Sequence, residues 1–97
     1  MNTDQLEALF DEKHDEEFLK FDRVSVKKSG RADLHAFIIL DELIPGRTGD
    51  MVCSAEHDEI WLDIDADELA DKATEGQVVD LIRCGVRLDD GYLAMFV

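Results

Sequence analysis

The 97 residues carry 24 acidic against 10 basic side chains, a formal charge of −14 at neutral pH, with 45% hydrophobic residues and a single proline. A chain of that length and apolar content holds one core, so one globular domain spanning residues 1–97 is expected. A field of this sign repels phosphate backbones and anionic membranes, which argues against direct nucleic-acid or membrane binding.

The N-terminal "MNTDQLEALFDEKHDEE" has neither the basic flank nor the apolar stretch of a secretory signal. The longest apolar run, "AFIIL" at 36–40, is far short of the roughly 20 residues of a membrane span. A soluble, cytoplasmic protein follows as the expectation. Two cysteines are too few for a disulfide framework, so core thiols are expected. The charge is uneven: residues 1–22 carry −6 and residues 51–80 carry −9, while the remaining segments are close to neutral.

In chain order, Asp4 and Glu7 offer a capping-box-like start to an amphipathic helix over about 4–20, with Leu6, Phe10, His14, Phe18 and Phe21 near helical spacing. "RVSVKK" places Val24 and Val26 on one side of a short strand before the break at Ser29-Gly30. "ADLHAFIILDEL" alternates poorly, and Leu34, Phe37, Ile38 and Asp41 fit one face of a helix that "IPG" ends. Helix is therefore the expected state of residues 33–43, and the "PGRTGD" that follows reads as a loop.

"MVCSA" and "IWLDI" flank a short polar connection, a strand-turn-strand pattern with Glu56, His57, Asp58 and Glu59 in the turn. Ile60, Leu62 and Ile64 share the core face of the second strand, and Trp61, Asp63 and Asp65 the other. Asp65 with Glu68 caps a short helix in "ADELADKA", Thr74 and Gln77 form a capping box for "EGQVVDLIRC", and Gly85 suits a left-handed helix end. "VRL" and "YLAMFV" join through Asp-Gly as a tight hairpin, and the apolar last strand belongs in the interior of the sheet. The fold class expected is α+β, a mostly antiparallel sheet with two to four helices on one face.

The chemistry-bearing candidates concentrate in "EHDEIWLDIDADE", residues 56–68. Taking Asp63, Asp65 and Asp67 as ligands of a calcium loop puts Glu68 where glycine is required and Thr74 where a bidentate Glu belongs, so that reading fails. "IWLDID" resembles the nucleophile motif of haloacid-dehalogenase-type phosphotransferases over six residues. Ala66-Asp67 stands where that motif continues with glycine, and the chain is too short for the large doubly wound domain. A small hydrolase using Asp63 is thus disfavoured, and the protein is read as non-enzymatic.

Cys53 and His57 lie four residues apart, and Cys84 with His35 could complete a tetrahedral zinc set. Close Cys and His pairs are missing, so this metal-stabilised domain stands as the alternative reading, against two core thiols and surface histidines. No cofactor is expected. The leading reading is an acidic interaction surface made by Glu56, Asp58, Glu59, Trp61, Asp63, Asp65, Asp67 and Glu68, with the tryptophan as anchor for a basic protein partner. The last strand, if its edge is exposed, also allows a homodimer.

At "AEHDEIWLDID", "DLIRCGVRLDD" and "YLAMFV" the chain resembles a group of small acidic proteins encoded in bacteriophages and prophages, over about residues 33–97. The group carries no assigned activity. The resemblance implies a bacterial-cell setting and, by analogy of class and charge, an inhibitor or nucleic-acid mimic, with no catalytic residues to carry over.

Overall fold

In the computed structural model, which describes residues 1–45 and 49–97, two β-hairpins assemble into one antiparallel sheet and the helices gather against one of its faces. The elements are α1 (Thr3–Glu17), a short 3-10 turn (Phe21–Arg23), α2 (Ala32–Leu43), β1 (Val52–Glu56), β2 (Glu59–Leu62), α3 (Ala66–Lys72), α4 (Glu75–Arg83), β3 (Arg87–Asp89) and β4 (Tyr92–Phe96). This is an α+β domain with strand order β1-β2-β4-β3. Residues 46–48 of the expected loop lie outside the described residues. No described helix is long and apolar enough to cross a membrane.

Local chemistry accounts for most element ends. α1 begins two residues earlier than the Asp4/Glu7 pair suggests: Asn2 accepts from the Gln5 backbone N–H while the Gln5 side chain accepts from that of Asn2, a complete capping box. α3 starts on Asp65, whose carboxylate accepts from the backbone N–H groups of Asp67 and Glu68. α4 starts on the expected Thr74/Gln77 box. It ends in a left-handed Gly85 (φ 97°), with Val86 N–H donating to Leu81 O and Gly85 N–H to Ile82 O, the paired bonds of a Schellman motif.

Two expectations fail in the helical layer. "RVSVKK" forms no strand: the chain tightens into the 3-10 turn at Phe21, Val24 drops into the interior and Val26 is exposed. The reason is tertiary, because Arg23 is drawn back to Glu17 and the Lys28 backbone N–H is used by His35 Nδ1, so the segment has no ladder to join. α2 is helical as expected but turns a different face inward. His35, Ala36 and Leu40 are buried, whereas Leu34 is exposed.

The core joins Leu6, Leu9 and Phe10 of α1, Leu40 of α2, Leu69 of α3, and Val78, Leu81 and Ile82 of α4 to Leu62, Leu93 and Met95 of the sheet. Ile60 and Leu88 pack against its margin, and Ile64, just past β2, is buried in it. β4 is central, with β2 and β3 on its two sides. β3 covers its side of β4 along Tyr92–Ala94, and the sheet's outer edges belong to β1 and β3.

Where α1 and α4 end side by side, Glu17 is almost fully buried between two arginines. It accepts from Arg83 Nε and, at 2.7 Å, from Arg23 Nη1, and Arg83 also reaches Asp80 at 3.1 Å. Leu19 adopts a left-handed φ of 62° and its N–H donates to Ile82 O. Its side chain lies against Gly85, where a Cβ would come within 2.7 Å of Leu19 Cδ2. Glycine is required there for its φ, while a Cβ would only have to push the tip of the exposed Leu19 side chain aside.

Candidate functional site

Alternation along β2 and β4 sends one set of side chains to the helices and the other to the opposite face, where no described helix packs. On that open face the register aligns Ser54, Trp61, Ala94 and Arg87 across the four strands. The next row aligns Glu56, Glu59 and Phe96. Tyr92 stands two residues before Ala94 on the same face. The expected partition of "IWLDI" therefore holds: Leu62 and Ile64 are buried, and Trp61 is half-buried on the other side, outside the core.

Ala94 is fully buried, a small residue flanked in register by Trp61 and Arg87. Around this low point the aromatic rings stay accessible, with Tyr92 61% and Phe96 56% exposed. Arg87 crosses the face diagonally. Its guanidinium stacks over the Phe96 ring with its central carbon 4.4 Å from the centroid, pairs with Glu59, and lies 3.5 Å from Asp89. The chain thus holds one of its own cations against an aromatic plane and a carboxylate.

Beside that unit, Cys53, Ser54, Glu56, Trp61 and Tyr92 line an open slot of about 310 Å³. Cys53 is exposed here, contrary to the expectation of a core thiol, because it lies at the β-bulge of an edge strand; its Sγ donates to Trp61 O at 3.5 Å. Around the end of the sheet, Asp63, Asp65, Asp67 and Asp90 line a larger cleft of about 500 Å³ together with Thr3 and Tyr92. Within it Asp65 is committed to capping α3 and Asp67 accepts from the Thr3 hydroxyl. Asp63 is exposed, and its backbone N–H donates to Met51 O.

Of the sequence-derived surface, Glu56, Glu59 and Trp61 share the open sheet face. Asp58 sits in the β1–β2 turn after His57, which takes a left-handed φ of 55°. Asp65, Asp67 and Glu68 begin α3, and Asp63 joins the two groups. Sequence reasoning missed Tyr92, Phe96 and Arg87. The alternation of "VRL" and "YLAMFV" carries the signal, because it sets Tyr92 and Phe96 opposite Leu93 and Met95. What was missing was the pairing of β4 with β2.

The zinc candidates are not brought together. Cys84 is buried at the end of α4, where burial pushes its thiol up to about 12. His35 is buried, not on the surface, with Nδ1 accepting from Lys28 N–H at 3.0 Å and its ring 5.7 Å from that of Phe21. His57 is exposed in the turn. Among the described residues no three His, Cys, Asp or Glu side chains converge as metal ligands would.

No protein-family model, curated protein or solved structure matches this chain, so the site is read from its own geometry.

Proposed function

We propose that the protein is a non-enzymatic binding protein that engages a basic protein surface through the face formed by β1, β2, the exposed side of β4 and the start of α3. The observation that carries this reading is the placement of Trp61, Tyr92 and Phe96 on a helix-free sheet face rimmed by Glu56, Glu59 and Asp63. Aromatic side chains held rigidly by a sheet supply contact area at small entropic cost, and surrounding carboxylates select and steer a cationic partner. In a phage-borne setting the partner would be a host factor, and occlusion of its basic groove is the form of inhibition this surface suits.

The test is capture of partners from a bacterial lysate at low ionic strength, compared with the double variant Asp58→Lys, Asp63→Lys. Neither side chain caps a helix or holds an ion pair among the described residues, so the fold should persist. The expected result is a specific basic protein, retained by the parent chain, lost steeply as salt is raised and lost in the double variant. Retention that ignores both salt and the substitutions overturns the reading.

A further inference from the structure

The open face contains one aromatic-carboxylate unit already filled by a cation of the chain and a second with none. In the filled unit, Arg87 lies 4.4 Å from the Phe96 ring centre and pairs with Glu59. In the second, a slot of about 310 Å³ is lined by Trp61, by Glu56 from the row on one side of it and by Tyr92 from the row on the other. Glu56 and Glu59 are cross-strand partners, which places two like charges directly opposite each other. Arg87 neutralises only one of them. Among the described residues no lysine or arginine lies over Trp61 or pairs with Glu56.

We infer that this slot is a recognition pocket for an arginine side chain of the partner, the guanidinium stacking on Trp61 and donating to Glu56. The inference rests on the proposed engagement of a basic surface and names the group that the face selects. Arginine fits better than lysine because its planar, weakly hydrated head can stack on a ring while donating to a carboxylate; in the neighbouring row Arg87 stacks on Phe96 and donates through Nη2 to Glu59. A second copy of the chain does not fit, since it would bring another formal charge of −14 against the same acids.

The experiment uses two blocked peptides, tetra-arginine and tetra-lysine, added to the full chain at low salt and followed by amide and indole NMR signals. Trp61 is the sole tryptophan, so its indole signal reports on the slot directly. Expected are saturable shifts at the Trp61 indole, at residues 53–56 and at Tyr92, with tetra-arginine binding about fivefold to tenfold tighter than tetra-lysine. Glu56→Gln and Tyr92→Ala should each weaken tetra-arginine by about the same factor, with native-like spectra showing that both variants fold.

Equal binding of the two peptides, with shifts spread over residues 63–68 and no effect of Glu56→Gln, overturns the slot while leaving a general acidic docking face intact. Absence of shifts with either peptide also overturns the slot, and the lysate capture then decides the broader reading on its own.

Discussion

Tyr92 and Leu93 are neighbours in one strand, yet they belong to different parts of the protein. Leu93 faces the helices and is fully buried, together with Met95 and, across the ladder, Leu62. Tyr92 faces away and stands open, together with Phe96 and the half-buried Trp61. Both faces are rich in large side chains, so hydrophobicity alone does not separate them. Covering does: the described helices pack against one side, whereas on the other Arg87 lies over the Phe96 ring and no described helix packs.

The ion pairs sharpen the same contrast. Glu17 and Arg83 tie the ends of α1 and α4 in the helical layer, while Glu59 and Arg87 run across the open face. The first pair organises the interior of the fold. The second lies on the sheet face opposite the core.

Truncation of the covered face should have the largest effect. Leu93→Ala is expected to lower unfolding free energy by about 2–5 kcal/mol, read by chemical denaturation, because it removes buried contacts and leaves a cavity. Tyr92→Ala, one residue away, should change it by less than about 1 kcal/mol. Comparable losses at both positions would mean that the open face is in fact covered.

Acid should act chiefly on the helical layer. The hydrogen bond from Arg83, reinforced by Arg23, holds the Glu17 carboxyl below its ordinary value of 4.5. The stabilisation from this carboxylate is therefore present above that value and is lost as pH falls through the lowered one. Glu17→Gln should be less stable than the parent at neutral pH, with the gap closing in strong acid. A gap that is constant down to that range would show that the ion pair contributes nothing.

The mildest probe is the pair of thiols. At pH 8 a disulfide reagent should modify Cys53 rapidly and leave Cys84 intact until denaturant is added, since Cys84 is buried and its thiol is pushed up to about 12. Two fast-reacting thiols in the native protein would mean that the end of α4 opens readily.

Signals carried within a few residues were legible in the sequence. Thr74 and Gln77, Asp65, Gly85 and the Asp90-Gly91 turn each act through backbone hydrogen bonds or φ angles next to them, and each sits where local chemistry places it. Alternation also identified Leu62 and Ile64 as core and Trp61 as their opposite. The same reasoning slipped by two residues at the start of α1, where Asn2 and Asp4 both satisfy a capping pattern and only the packed helix chooses between them.

Tertiary structure decided what depends on distant partners. Val24 leaves the strand it resembles because Glu17 and His35 claim its neighbours, and Leu19 takes a left-handed turn because Ile82 and Gly85 receive it. The candidate site is of this second kind. Period-two alternation says that Trp61, Tyr92 and Phe96 lie opposite core residues on their own strands, but only the pairing of β2 with β4 places them on one face, and only the packing of the helices leaves that face open.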